Sequence, residues 1–223
     1  SFFFNFVIFL NIIIILIKSA FDYYRKMQQK NPSRNINVIV LQGEPGSGKT
    51  TLCKIIAQRE NKSISVSSAS NDSLQDYQMG TDYFLLDDFD YNSLGVENFK
   101  KLTDNNTSSS GKCRFNNRFM NSDIFICTNI PIIDWYKGTS KENLDAIARR
   151  MTCVLDFLPM QDDHIIRYYK KSVEDLYNDR NSFESKEEIN KKYKLYEVDM
   201  TQYISMEESI KKKEDFLNVL EKL

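Results

Sequence analysis

The chain alternates short apolar runs with segments whose apolar residues recur at helical spacing. From residue 35 the order is "INVIVLQ", a glycine-rich loop, the helical pattern "TTLCKIIAQRE", a polar loop rich in Ser and Asn, "DYFLLDDF", a helical stretch, "SDIFICTN" and the helical pattern "KENLDAIARRM". Short apolar runs that alternate with helices are typical of parallel strands covered by helices on both faces. The pattern therefore predicts an α/β fold with a mostly parallel central sheet over residues 35–158.

An apolar segment and a linker, residues 1–34, precede this alternation. The run "SFFFNFVIFLNIIIILIK" is apolar from Phe2 to Ile17 apart from two asparagines, and Pro32 ends the stretch that follows it. The run is slightly shorter than the ~20 residues of a spanning helix, and the basic residues behind it would keep the rest of the chain in the cytoplasm. Residues 1–17 are thus a membrane anchor, a buried or interfacial segment, or a low-complexity extension. Because no Met precedes Ser1, we expect a truncated start.

A charged region, residues 159–223, follows the alternation. It is rich in Tyr and Lys and shows weak helical periodicity, so the sequence predicts a third, mainly helical unit. Its last part places Met206, Ile210, Leu217 and Leu220 on one helical face. Such a stripe packs on its own domain or on a helix of another subunit.

Charge and cysteine content narrow the classes of function. The 223 residues include 30 basic and 31 acidic side chains, so no global positive field attracts nucleic acid or anionic lipid. Any polyanion must be bound locally. The four cysteines are isolated from one another and His164 is the sole histidine, so the sequence suggests neither a zinc cluster nor a disulfide framework. The sequence favours a reducing, intracellular setting.

The glycine-rich loop is a phosphate-binding motif. Gly43, Gly48, Lys49 and Thr50 occupy every fixed position of GxxxxGK[ST], between an apolar strand and an amphipathic helix. Glycines let backbone N–H groups turn inward around phosphate oxygens, and the lysine neutralises the β- and γ-phosphates. The threonine hydroxyl can bind Mg²⁺ while the helix directs its positive end at the anion. The other residues of the predicted ATP-binding loop are Glu44, Pro45, Gly46, Ser47 and Thr51.

Acidic and amide side chains end the next two apolar strands. Asp87 and Asp88 end "YFLLDDF", where the first carboxylate can bind Mg²⁺ and the second can orient or deprotonate the attacking water. Asn129 ends "DIFICTN", and its neutral amide can hold that water or the γ-phosphate. Since open α/β sheets bind ligands at the carboxyl edge, we expect these residues to meet the phosphate loop there.

Two adjacent arginines end the last helical pattern. Ser140 is a predicted N-cap, and Leu144, Ile147 and Met151 recur at helical spacing, which places Arg149 and Arg150 at the helix end. These arginines are solvated, bind a carboxylate, or act as an arginine finger that reaches the γ-phosphate held by an adjacent subunit. The last role requires an oligomer.

With these four motifs in this order, the chain resembles the superfamily 3 helicases, and more closely the helicase domain of replication-associated (Rep) proteins of small circular single-stranded DNA viruses and related plasmids. The resemblance covers residues 35–157 and rests most on "LLDDF", "ICTNIPIIDWY" and "DAIARRMTCVLDF". It implies a P-loop NTPase of the AAA+-like kind that assembles into a hexamer, uses ATP and Mg²⁺, and translocates on single-stranded DNA during replication.

The resemblance also implies a hairpin that projects a lysine into the pore of the ring. "SSGKCRFNNRF" stands at that place, and Lys112 looks like the family's lysine. Independently of the family, cations at Lys112, Arg114 and Arg118 alternate with Phe115 and Phe119, and such a pattern suits phosphates and stacked bases. A ring can thus concentrate cations in one channel while its outside stays neutral.

Two other functions stay open. The first is a membrane-associated, picornavirus-type superfamily 3 helicase that acts on RNA, which the apolar start favours and the DNA-virus-like motifs and missing zinc-binding cysteines disfavour. The second is a nucleotide-dependent switch without motor activity. The family's N-terminal nicking domain, with its histidine pair and catalytic tyrosine, has no counterpart in this sequence. We therefore expect no nicking activity from this chain, and a nicking domain that is separate or missing.

Overall fold

A seven-stranded sheet forms the centre of the molecule. The structure, a computed structural model, describes residues 35–68, 74, 76–78, 80–104, 110–112, 117–119, 122–161, 164–179 and 186–203. The strands of the sheet are β1 (Val38–Gln42), β2 (Ile64–Ser67), β3 (Tyr83–Leu86), β6 (Asp123–Thr128), β7 (Cys153–Phe157), β8 (Ile165–Lys171) and β9 (Leu195–Asp199). Their spatial order is β2-β3-β6-β1-β7-β8-β9.

The first five strands of that order are parallel, as the sequence predicted. β1 lies at the centre between β6 and β7, with Leu41 opposite both Cys127 and Leu155. β3 pairs with β6 so that Leu86 lies opposite Ile126. Because the strands are parallel and in register, the residues that follow β1, β3 and β6 all emerge at one edge of the sheet.

Within the described ranges, five helices accompany the sheet, and a separate hairpin lies between two of its strands along the chain. The helices are α1 (Lys49–Arg59), α2 (Val96–Leu102), α3 (Lys141–Ala148), α4 (Val173–Asp179) and α5 (Lys186–Lys192), and two short 3₁₀ helices span Tyr91–Ser93 and Ile132–Asp134. The hairpin pairs β4 (Ser110–Lys112) with β5 (Asn117–Phe119) in antiparallel fashion.

Apolar side chains cover both faces of the sheet. One core contains Leu52, Cys53 and Ile55 of α1 together with Phe125 of β6 and Ile166 of β8. The other core contains a cluster of aromatic rings. Neighbouring rings in this cluster have centroids 5.3–6.2 Å apart, and its members are Phe89, Phe99, Trp135 and Tyr136. Burial on both faces explains why the parallel strands read as continuous apolar runs.

The prediction of a mainly helical region after residue 158 is wrong for two segments. Residues 165–171 and 195–199 form β8 and β9, which join the sheet antiparallel to β7 and to each other. The sheet therefore continues across the boundary that the sequence placed between residues 158 and 159. The polar loop predicted after α1 likewise contains a strand, β2, with Ser65 and Ser67 buried.

The apolar segment 1–17 and the stripe of residues 206–220 lie outside the described residues. Within the described ranges, the structure contains no helix of the length and apolar character that crossing a membrane requires. The three described cysteines, Cys53, Cys127 and Cys153, are buried and unbridged.

Candidate active site

The phosphate loop connects the end of β1 to the start of α1. Gly48, directly before the helix, has φ +88°, a left-handed conformation that suits glycine. A Cβ at this position would also lie 2.7 Å from Ile166 Cγ1, closer than real contacts allow. The motif's last glycine is therefore required both by its backbone conformation and by its neighbour on β8.

Lys49, the first residue of α1, is buried against the loop, with 6% of its surface exposed. Its ammonium donates hydrogen bonds to the backbone oxygens of Gly43 (2.9 Å) and Glu44 (2.8 Å) and to Asn129 Oδ1 (2.9 Å). Burial lowers the pKa of Lys49, and the nearby negative charges, including Asp88 and Asp87, oppose that shift. Phosphate oxygens are acceptors of the same kind, and their charge would favour the protonated lysine.

Thr50 and Asp87 bring two oxygen ligands together beside that lysine. The Thr50 hydroxyl donates to Asp87 Oδ1 at 2.6 Å. Hard oxygen donors of this type are what Mg²⁺ prefers, and proteins usually hold it with one or two of their own oxygens plus substrate phosphates and water. No described cluster unites three or more His, Cys, Asp or Glu side chains as a metal cage. The Thr50–Asp87 pair therefore fits a magnesium ion that is shared with a nucleotide.

Asp88 is exposed in a constrained turn. The chain on either side is fixed to the sheet, because Asp87 N donates to Ser67 O (2.8 Å) and Phe89 N donates to Cys127 O (2.8 Å). Asp88 between them has φ +48°, which is uncommon outside glycine and tends to occur at functional sites. The turn directs this carboxylate away from the core at the edge where the phosphate loop lies.

Asn129 connects the three strand ends. Its Oδ1 accepts from Lys49, and its Nδ2 lies 3.5 Å from Asp88 Oδ1, at the limit of a hydrogen bond. The loop behind it is fixed, since Trp135 Nε1 donates to Ile130 O (3.0 Å) and Ile132 N donates to Gln42 Oε1 (3.0 Å). The lysine, the amide and the acid thus form one continuous contact chain at the carboxyl edge.

Sequence reasoning missed Gln42. This residue ends β1, is 7% exposed, and connects Ile132 N to Asp156 Oδ1 of β7, which Gln42 Nε2 approaches at 3.1 Å. Lys171 Nζ binds the other oxygen of Asp156 at 2.8 Å. The signal in the sequence is a polar residue at the end of an apolar run, directly before the phosphate loop, but its partners are more than 80 residues away.

The structure distinguishes the two predicted arginines. Arg150 is engaged within its own chain, because Nε donates to Lys100 O (3.2 Å) and Nη1 donates to Ala146 O (2.8 Å). Arg149 is exposed at the end of α3, beside an open groove between α3 and α4. No residue that the structure describes forms a hydrogen bond or ion pair with the Arg149 guanidinium. Arg149 is thus available to a partner, whereas Arg150 ties α3 to α2.

The predicted nucleic-acid hairpin corresponds to β4 and β5. Gly111 lies opposite Arg118 and Lys112 opposite Asn117 in the register of the two strands. Arg114 and Phe115 lie outside the described residues, as do the side chains of Lys112 and Arg118. The backbone therefore forms the hairpin, and the role of its side chains stays a prediction.

Part of the chain is similar to known helicase and replication proteins. Residues 39–130 match the family model described as RNA helicase. A stretch of 146 residues, 65% of this chain, is 36% identical to a protein named "Replication protein" from Onion yellows phytoplasma (strain OY-M), and covers 38% of that protein's length. The residues that match the family model include the phosphate loop, both aspartates and Asn129. These matches support a helicase domain of the superfamily 3, replication-protein type, which the sequence motifs predicted.

Proposed function

We propose that this chain is an ATP-driven helicase motor that translocates on single-stranded DNA during replication of a small viral or plasmid replicon. The observation that carries the proposal is the contact chain Lys49–Asn129–Asp88 beside the Thr50–Asp87 pair. These groups lie where the nucleotide site of an open α/β sheet is expected. The chain spans only 38% of the length of the replication protein it matches, so the proposal concerns this part alone.

Each residue has a role that follows from its contacts. The loop N–H groups and Lys49 bind the β- and γ-phosphates and neutralise their charge. Thr50 and Asp87 would hold Mg²⁺, which would supply charge stabilisation at the phosphates. Asp88 orients the attacking water and accepts its proton, and Asn129 positions the same water or the γ-phosphate without adding charge. The fixed turn and loop hold the last two groups in place.

The proposal includes a ring in which subunits complete one another's sites. Arg149 would reach the γ-phosphate bound by the adjacent subunit and stabilise the charge of the transition state, as arginine fingers do. Its exposure and lack of a partner among the described residues support this role, and the ties of Arg150 to two carbonyl oxygens argue against the same role for its neighbour. A homo-hexamer is the ring we propose.

Single-stranded DNA would pass along the β4–β5 hairpin in the pore. The alternation of Lys112, Arg114 and Arg118 with Phe115 supports this, because cations bind phosphates and aromatic rings stack on bases of any sequence. We place this work inside the host cell and expect no nicking of DNA by this chain. Association with membranes through residues 1–17 belongs to the RNA alternative below.

A second candidate is a helicase that acts on RNA, and the description of the matched family favours it. Both candidates use the same nucleotide site, so the nucleic acid must be tested directly. A nucleotide-dependent switch would use that site too, but its turnover would not respond to either polymer.

The test is the rate of ATP hydrolysis by the full chain without polymer, with single-stranded DNA and with single-stranded RNA of matched length, together with the mass in solution. We expect DNA to raise the rate by roughly tenfold, because strand binding orders the ring and its shared sites. We also expect a mass of about six subunits. Stronger stimulation by RNA would show that the chain is an RNA helicase, and an ATPase rate that neither polymer changes would show that it is a nucleotide-dependent switch.

A further inference from the structure

The phosphate loop is packed against β7 and β8, at both of its fixed glycines. A Cβ at Gly48 would lie 2.7 Å from Ile166 Cγ1, 2.9 Å from Ile166 Cδ1 and 3.3 Å from Met160 Cε. A Cβ at Gly43 would lie 2.8 Å from Phe157 Cβ and 3.0 Å from Phe157 O. The first and last glycines of the motif thus touch a wall made by the end of β7, the start of β8 and the segment between them.

This wall is part of the sheet. Ile166 is fully buried on β8, where Val198 of β9 lies opposite it. Leu158 N donates to Arg167 O at 3.0 Å, which continues the pairing of β7 with β8 beyond Phe157. The Phe157 ring stacks on that of Tyr168 with centroids 5.4 Å apart. Hydrogen bonds and ring packing therefore hold the wall in place independently of the phosphate loop.

A rigid wall at this place determines where the loop can lie. Protein interiors are close-packed, so a side chain in contact with a glycine Cα limits the displacement of that backbone. Gly48 directly precedes Lys49 and the first N–H groups of α1, which are the groups that bind phosphate. A shift at Gly48 therefore moves the ammonium and the N–H groups together.

We propose that Ile166, supported by Met160, is a positioning residue for the nucleotide that maintains the phosphate loop in its binding conformation. Both residues lie beyond residues 39–130, the region that matches the helicase family model. The inference rests on the proposed use of ATP by this site. It assigns part of the chain's nucleotide affinity to the strands that the C-terminal region adds to the sheet.

Loss of the Ile166 side chain should weaken nucleotide binding. Removing the Ile166 side chain leaves Gly48 with Met160 as its remaining neighbour on this wall, so the loop populates conformations that do not bind phosphate. The apparent affinity for the nucleotide then falls in proportion to the fraction of molecules whose loop can still bind phosphate. Asp87 and Asp88 follow β3 and Asn129 follows β6, and these residues keep their positions, so turnover at saturating ATP changes little. The expected signature is a raised KM with a nearly unchanged kcat.

The experiment measures the Kd of a fluorescent ATP analogue and the KM and kcat for ATP, with the full chain. Ile166→Ala should raise Kd and KM by about tenfold, and Ile166→Val, which keeps the branched side chain, should stay within about twofold of wild type. The matched control is Ile124→Ala, another fully buried isoleucine, which lies at the start of β6 on the opposite core. It should lose comparable stability and keep the wild-type KM.

Binding by the wild-type chain tests the proposed function, and binding by the variants tests the role of Ile166. If the wild-type chain does not bind the analogue, the proposed function fails and the inference fails with it. If wild type binds and Ile166→Ala binds equally well, or Ile124→Ala is weakened as much, the inference is overturned while the nucleotide site stands. If Ile166→Ala does not fold, Met160→Ala is tested instead, since Met160 is half-buried. We expect its Kd to rise about threefold, and an unchanged Kd would contradict the proposal.

Discussion

Replacing Lys49 by alanine is expected to lower ATP hydrolysis at least about a hundredfold, which corresponds to roughly 3 kcal/mol of transition-state stabilisation. Lys49 is the charged donor of the phosphate-loop motif, and its ammonium already contacts Asn129 and two loop carbonyls. Without it the loop still offers N–H groups, but no positive charge balances the phosphates. The measurement is steady-state phosphate release at saturating ATP.

The variant should remain folded, which makes the loss of activity interpretable. Lys49 is buried, but its carbonyl partners belong to Gly43 and Glu44, which are half-buried and exposed, so water can replace the ammonium and we expect a stability loss of about 1–2 kcal/mol. Lys54→Ala is the matched control, because Lys54 lies on the same helix and is exposed. It should hydrolyse ATP like wild type. Wild-type turnover in Lys49→Ala would end the assignment of this site as catalytic.

Replacing Arg149 by alanine is expected to lower hydrolysis by about a thousandfold in a homogeneous ring, the range found for arginine fingers. The loss should be partly restored by mixing with Lys49→Ala subunits. Those subunits cannot hydrolyse ATP themselves, but they present an intact Arg149 to the neighbouring site. If subunits mix at random in equal amounts, about a quarter of the interfaces combine an intact lysine with an intact arginine.

A double variant and Arg150→Ala serve as controls for this experiment. Arg149→Ala mixed with the double variant Lys49→Ala/Arg149→Ala should stay inactive, because no subunit supplies the arginine. Arg150→Ala should behave differently from Arg149→Ala, since its hydrogen bonds to Lys100 O and Ala146 O hold α3 against α2 within one chain. We expect reduced stability and no complementation. Failure of Arg149→Ala to be complemented would contradict a role in an adjacent subunit's site.

The parallel core could be predicted from the sequence because its signals are local. Each strand is an apolar run buried on both faces, the aspartates and Asn129 follow such runs, and Lys49 follows the glycine loop after β1. Parallel strands in register then bring Lys49, Asp88 and Asn129 to one edge whatever the loops between them do. The contacts at 2.9 Å and 3.5 Å among these three residues follow from that rule.

The half-buried strands at the sheet margins were missed because their pattern is mixed. β8 reads "IIRYYKK", in which only Ile166 and Tyr169 are buried, and β9 alternates exposed and half-buried positions. Tyr and Lys combine an apolar body with a polar tip, so their alternation resembles a weak helical pattern. In β2 the buried positions include serines, whose hydroxyls bind Thr81 Oγ1 and Asp76 Oδ2.

Contacts between distant parts of the chain could not be read from the sequence either. Ile166 packs on Gly48 and Gln42 connects to both Ile132 and Asp156, and all these partners are more than 80 residues apart. No local periodicity encodes such pairs. The same holds for the two arginines, which look equivalent in "ARRM" and differ only because α2 lies beside one of them.

The most direct test of the central claim, that three strand ends converge on one triphosphate, is a crystal structure of the full chain with a non-hydrolysable ATP analogue and Mg²⁺. The account predicts γ-phosphate oxygens within about 3.5 Å of Lys49 Nζ and of the Asn129 amide, with the metal on the Thr50 hydroxyl. A triphosphate bound elsewhere, or bound to Lys49 with Asp88 and Asn129 out of reach, would contradict it.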